Sequence, residues 1–320
     1  MRRRVVPALL LLGLVAWAFV LSRRDHDDRR ADVAASTGTG PVTTTDATVA
    51  PATSPPDGDG NGDDNGEGQR ATVRHVDDGD SFSAVLDAGP DAGPEVEVRM
   101  LGINAPERGE CLADEARQAL IDRLGRGPIR LEPDVTDQDR YGRLLRYVVA
   151  DGTLVEVDLA AQGLALATST PPDTARQSKI DEAQARARAA GLGLWNPNAC
   201  GPAASTAVRI TRVEADPPGR DDQHLDDEDA VIANTGDGDI DGDVDLTGWK
   251  LRDDSTSNRF AFPAGFTLAP GREVTVHAGP GDPTADDLYW DRGQPVWDND
   301  RDLALLLDPH GNVVSALDVP

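Results

Sequence analysis

From residue 25 to about residue 70 the chain is built largely from Asp, Thr, Gly and Pro, with Pro55-Pro56-Asp57-Gly58-Asp59-Gly60 in its second half. Such a tract has too little apolar surface to offset the entropy of ordering it, and its like charges repel, so it reads as a flexible acidic linker. Any hydrophobic core must come from the residues after it. The chain has 320 residues, 38% of them hydrophobic and 4% aromatic. That length suits two domains of about 100–200 residues each. The formal net charge is −26. A surface of that sign does not hold a polyanion by global charge. A nucleic-acid enzyme with this composition has to concentrate positive potential in a bound cation and a few arginines.

Ahead of the linker, residues 1–24 form a targeting segment. Met1-Arg2-Arg3-Arg4 leads an apolar run over residues 5–21, and Arg23 and Arg24 follow. A basic start and an apolar middle indicate a signal peptide or an uncleaved signal anchor. The run is about 17 residues long, the lower limit for a spanning helix, and the leading arginines favour a cytoplasmic tail with the body outside. The expected location is extracellular, as a secreted chain or one held in the cell membrane. Cys111 and Cys200 are the only cysteines. In an exported chain a disulfide between them is the default, with two buried free thiols as the alternative.

Residues 71–200 alternate like a small α+β unit. Residues 71–76, 81–86, 95–101, 129–132 and 144–149 read as strands, and residues 111–124, 154–162 and 174–190 as helices. Five short strands with helices fit a partly open barrel of the oligonucleotide-binding type. Three clusters within it carry chemistry: Asp78-Gly79-Asp80-Ser81, the run from Arg99 through Asn104-Ala105-Pro106-Glu107, and Arg140-Tyr141-Gly142-Arg143. Together they offer oxygen ligands for a hard cation, a carboxylate to act as base and two guanidinium groups. Phosphoryl transfer needs that set, because the oxygens must be neutralised and a water aimed. Arginine suits the neutralising role because its planar fork grips phosphate and stays charged.

These clusters, with Gln162-Gly163-Leu164-Ala165 and Gly193-Leu194-Trp195 after them, occur in the order of the staphylococcal-nuclease-like, or thermonuclease, family, which this region resembles. The resemblance implies calcium-dependent hydrolysis of DNA and RNA. It implies Asp80, Asn104 and the Ala105 backbone carbonyl as Ca²⁺ ligands, and Glu107 as general base or water-orienting residue. Arg99 and Arg143 would clamp the scissile phosphate, with Asp78 and Tyr141 in supporting substrate contacts. Two positions depart from the family pattern. Asn104 replaces a carboxylate, which removes one negative charge and lowers the expected cation affinity. Ala105 replaces a hydroxyl residue, which keeps the carbonyl and loses a side-chain hydrogen bond. Residues 166–170 also offer no tyrosine to stack on a base.

Residues 201–206 read as a short hinge. Beyond them, residues 207–320 show short strands separated by turn signals and no helical periodicity, the pattern of an all-β sandwich. Ala233-Asn234-Thr235-Gly236, Gly248-Trp249-Lys250-Leu251 and Leu268-Ala269-Pro270-Gly271 carry a resemblance to the lamin tail domain, an immunoglobulin-like β-sandwich. That family implies binding or positioning, with an unknown ligand, and no catalysis. The alternating carboxylates from Asp237 to Asp245 resemble a calcium loop but end at Gly248, where such a loop needs a bidentate Glu. The expected function is an extracellular or membrane-anchored nuclease with DNA or RNA as substrate. The alternative is a catalytically inactive surface scaffold, or nucleic-acid-binding protein, made of the same two units.

Overall fold

The computed structural model describes residues 68–88, 93–125, 127–218, 225, 227–238, 242–255 and 257–319, which belong to one compact unit. Residues 1–24, expected as a targeting segment, and almost all of the expected linker lie outside the described residues, as does the middle of the acidic loop, residues 239–241. No helix among the described residues is long and apolar enough to cross a membrane.

The first half of this unit is a barrel. Strands β1 (Gln69–Val76), β2 (Ser81–Leu86), β3 (Glu95–Met100), β5 (Ile129–Glu132) and β6 (Leu144–Ala150) pair in the order β3-β2-β1-β5-β6, and a parallel β3–β6 pairing closes the ring. The alternation predicted a partly open barrel. The structure is closed because Val98, Arg99 and Met100 find partners in Leu144, Leu145 and Arg146. The strand begins at Gln69 rather than residue 71, since Gln69 and Arg70 pair with Leu131 and Arg130. Inward residues such as Phe82, Val98, Met100, Leu131 and Val148 are buried and fill the barrel. Helices α1 (Ala113–Leu124), α2 (Val155–Ala161) and α3 (Gln177–Ala190) cover it. A left-handed Gly191 ends α3, where a side chain would be strained.

Two short pairings were not legible in the sequence. Strand β4 (Ile103–Asn104) pairs with β8 (Leu166–Ala167), and β7 (Thr153–Leu154) extends the sheet beside β6. Two-residue strands have no periodicity to read. The β4–β8 pair matters because it fixes Asn104.

The second half is a β-sandwich. One sheet runs β16 (Asp287–Tyr289), β15 (Glu273–His277), β10 (Asp229–Asn234), β9 (Val208–Glu214). The other runs β13 (Arg259–Ala261), β12 (Lys250–Arg252), β17 (Asp302–Leu307), β18 (Val313–Val319). A short pair, β11 (Val244–Asp245) with β14 (Thr267–Leu268), flanks them. Trp249, Leu251, Ile232, Val276 and Leu306 form the core between the sheets.

The two halves share a third apolar cluster, in which Leu166, Ala187, Leu194 and Trp195 meet Leu303 and Leu305. Around it Arg301 grips Asp181 through two bonds of 2.6 Å, and Arg188 donates to the Ala316 carbonyl at 2.6 Å. Cys111 and Cys200 form a disulfide. Closing a loop of sequence separation 89 stabilises by about 4.6 kcal/mol in the chain-entropy account. The segment expected as a hinge is pinned by Asn312, whose Oδ1 accepts the Cys200 N–H at 2.8 Å, and by Asp308, which accepts the Ala204 N–H at 3.0 Å.

Candidate active site

Asp80 sits at the mouth of the barrel and is buried. Asp78 makes the turn that presents it, its Oδ1 accepting the Asp80 N–H at 3.0 Å. Gly79 between them is required by contact. A Cβ there would stand 2.6 Å from the Ala105 Cβ and 2.8 Å from the Ala116 Cβ. The Asp-Gly-Asp turn therefore packs directly against the segment carrying Asn104 and Ala105. Asp80 Oδ1 accepts the Ser81 hydroxyl at 2.8 Å, and Oδ2 accepts the Ala105 N–H at 2.7 Å. Burial raises the pKa of this carboxyl. The nearby Arg99 acts against that and Asp78 adds to it.

Arg99 reaches into the same pocket from β3. Its Nη2 lies 3.3 Å from Asp80 Oδ2 and 3.3 Å from Asn104 Oδ1, and its Nη1 donates to the Met100 carbonyl at 2.7 Å. Two oxygens thus converge on one cationic nitrogen. Glu107 follows two residues after Ala105 and is exposed at the rim. Its backbone is fixed by Glu110, whose Oε2 accepts the Glu107 N–H at 2.9 Å.

Arg143 is presented by a self-contained loop. Asp139 accepts the backbone N–H of Tyr141 at 2.9 Å and of Arg143 at 3.0 Å, and its Oδ2 accepts the Arg143 Nε–H at 2.7 Å. Gly142 turns the chain at φ +84°, where a side chain would be strained. Partial burial pushes the Asp139 carboxyl upward, but the bonds from Arg143 and Tyr141 outweigh it and hold the group below its ordinary value. Tyr141 is 70% exposed, and its ring carries the Arg140 and Arg143 guanidinium groups at 4.8 Å and 5.8 Å. Arg143 immediately precedes β6, the strand whose Leu145 pairs with Arg99 across the parallel β3–β6 ladder.

The donor set fits a hard divalent cation. Asp80 retains lone pairs beyond its two accepted bonds, Asn104 Oδ1 is aimed at the same point, and the Arg99 nitrogen occupies a cation's position between them. The site is poor in charge, since no group of three or more His, Cys, Asp or Glu among the described residues can hold a metal ion. In the sandwich, Asp245 spends one oxygen on the Thr247 N–H and hydroxyl, at 2.8 and 2.6 Å, and the centre of that acidic loop lies outside the described residues.

The sequence did not reveal that the sandwich reaches this pocket. Asn104 Nδ2 donates to the Asp254 carbonyl at 2.9 Å, and Arg252 Nη2 donates to the same oxygen at 3.2 Å. Arg259 pairs with Glu110. No signal local to either segment marks these contacts, which join residues about 150 positions apart.

Comparison with known proteins identifies both halves of the chain. Residues 97–197 match the family described as staphylococcal nuclease homologue, and residues 201–320 match the lamin tail domain. Over 138 residues the chain is 30% identical to a thermonuclease of Staphylococcus intermedius, covering 40% of this chain and 77% of that protein. A thermonuclease of Staphylococcus hyicus is 30% identical, with 41% and 79% covered. A micrococcal nuclease of Shigella flexneri is 31% identical, with 41% and 76% covered. With its closed barrel, its ordered clusters at the barrel mouth and its trailing sandwich, this chain belongs to the staphylococcal nuclease family and carries a lamin tail domain.

Proposed function

We propose that this nuclease hydrolyses DNA or RNA phosphodiesters with calcium as cofactor, outside the cell, as a secreted or membrane-anchored protein. The observation that carries the reading is the convergence of Asp80 Oδ2 and Asn104 Oδ1 on one cationic point of β3, the strand that pairs with the one Arg143 leads into. Asp80, Asn104 Oδ1 and the Ala105 carbonyl would hold Ca²⁺. When bound, the ion stabilises negative charge on the phosphoryl oxygens.

The protein's own groups supply the rest. Glu107, exposed at the rim, accepts a proton from the attacking water. Asp139 holds Arg143 through Nε, which leaves both terminal nitrogens directed to a phosphate in a bidentate grip. Arg99 holds its two oxygens at 3.3 Å, the long end of hydrogen bonding, so exchange onto a phosphate oxygen gives up little. Tyr141 offers a ring face to a base. These positive groups act locally, against a chain of net charge −26. The sandwich positions substrate or partner. The apolar run over residues 5–21 supports export.

Digestion of plasmid DNA and of RNA in millimolar Ca²⁺ or in chelator tests the reading. Cleavage should require the ion, and Glu107→Gln should lower kcat about 10²–10⁴-fold. Cleavage that survives both chelator and Glu107→Gln overturns it.

A further inference from the structure

A cleft of about 170 Å³ opens between the barrel and the β12–β13 hairpin of the sandwich. One wall is Asn104, Ala105 and Pro106, so it adjoins the pocket described above. The facing wall carries Lys250, Arg252 and Arg259, while Leu166, Leu194, Leu305 and Leu307 line the cleft between them. We propose that this cleft is a nucleotide subsite holding one residue of the substrate strand beside the scissile bond, with Lys250 and Arg259 as ligands of its phosphate. The proposal rests on the nuclease reading and extends it to the sandwich half.

Three observations support it. Arg259 lines the cleft, and its Nε is buried with no hydrogen-bond partner. Leaving a donor unpaired is costly, so a shift of this guanidinium towards a ligand oxygen in the cleft recovers what folding gave up. Lys250 is exposed, and its side chain makes no ion pair or hydrogen bond among the described residues. The third cation, Arg252, is buried and engaged with the Asp253 and Asp254 carbonyls, so it shapes the wall and leaves binding to the other two.

The acids lining the cleft are already committed. Glu110 pairs with Arg259, leaving Nε untouched. Asp308 is spent on the turn that follows it, accepting the N–H groups of His310 and Asn312 at 2.9 and 3.0 Å. The volume is below the roughly 300 Å³ at which drug-sized pockets begin, so the cleft takes a single nucleotide moiety and not a duplex. The leucines suit the sugar or base, and the cations suit the phosphate. A charged patch of this kind on an otherwise acidic chain gives the sandwich a reason to be fixed beside the barrel.

The test is anisotropy of a fluorescein-labelled single-stranded oligothymidylate, titrated with the full chain in EDTA at several salt concentrations. Lys250→Ala should raise Kd about fivefold and flatten the log Kd versus log salt slope by about 0.7, the effect of one lost phosphate contact on a single strand. Arg259→Gln should act alike, and Arg272→Gln, on the sandwich away from the cleft, should change neither quantity. A melting temperature for each variant separates lost binding from lost folding. An unchanged Kd and slope in natively folded Lys250→Ala, or no binding by the parent chain, overturns the subsite. Because EDTA removes catalysis from the measurement, a chain that binds through Lys250 but never cleaves sinks the nuclease reading alone. A chain that cleaves while Lys250→Ala binds normally sinks the subsite alone.

Discussion

The barrel half presents two carboxylate–arginine pairs, and they are built in different ways. Asp80 and Arg99 lie in a buried pocket assembled from the Asp78 turn, strand β3, the β4 segment and, through Asn104, the sandwich backbone at Asp254. Asp139 and Arg143 lie within five residues, in a loop that needs nothing from elsewhere. The difference follows from solvent. A buried charge must collect partners wherever the fold can bring them, because each unmet group is costly. Arg143 is half-buried and keeps more contact with water than Arg99, so a single carboxylate suffices to aim it. The deeper pair therefore couples stability to activity, and the locally held pair weighs mainly on activity.

Removing each arginine breaks or sustains that comparison most sharply. Arg99→Ala and Arg143→Ala should each lower kcat about 10²–10³-fold, the range for loss of one transition-state donor. Arg99→Ala should also destabilise by about 3 kcal/mol, since it strands Asp80 without its counter-charge. Arg143→Ala should change stability by less than Arg99→Ala, about 1 kcal/mol, because its pair is local and only partly buried and Asp139 keeps its two backbone donors. Equal losses of melting temperature in the two variants would show that burial does not distinguish them.

A smaller effect is expected at Asn104. Returning a carboxylate there with Asn104→Asp should tighten Ca²⁺ binding in a calorimetric titration, by adding a charge to a charge-poor site. In chelator it should destabilise by about 1–2 kcal/mol, because the Asp254 carbonyl loses one of its two donors and a carboxylate oxygen faces it instead. The neighbourhood is already acidic. Burial first, and then Asp302 and Asp253, push the Asp254 carboxyl up to about 8. A variant that is more stable than the parent in chelator would show that Asn104 is not fitted to the sandwich.

What could be read in advance follows the same division. The five barrel strands and three helices were legible because each buries one face in a regular period, as in β2 with Phe82 and Ala84 inward. The Arg140–Arg143 loop was legible because its glycine and its arginines sit side by side in the chain. The closure of the barrel through Val98 and Leu144 was not, because parallel pairing between distant strands leaves no local trace. Nor was the meeting of Asn104 with Asp254, or of Glu110 with Arg259, since each residue alone looks like any polar loop position. The substitution of Asn104 for a carboxylate registered in sequence only as a lost charge. The structure gives it a purpose, because an amide donates to the sandwich and a carboxylate cannot.

Glu156 supplies the control for the buried pair. It is fully buried in α2, with Oε1 accepting the Val148 N–H at 2.9 Å and Oε2 without a partner. Among the described residues no guanidinium pairs with it as Arg99 pairs with Asp80. Burial holds its pKa well above the ordinary 4.5, with Glu132 and Asp158 adding to the rise. A carboxyl whose folded pKa exceeds its unfolded one keeps its proton longer in the native state. Its contribution is therefore complete below about 4.5 and declines as pH rises towards the folded value, by about 1.4 kcal/mol per pH unit. Glu156→Gln keeps the shape and the acceptor and removes the titration. Chemical denaturation of parent and variant across pH 4–8 should show the parent losing stability relative to the variant as pH rises. Parallel profiles would mean that a lone buried acid at this position is accommodated as an anion, and that burial alone does not set what Arg99 must do for Asp80.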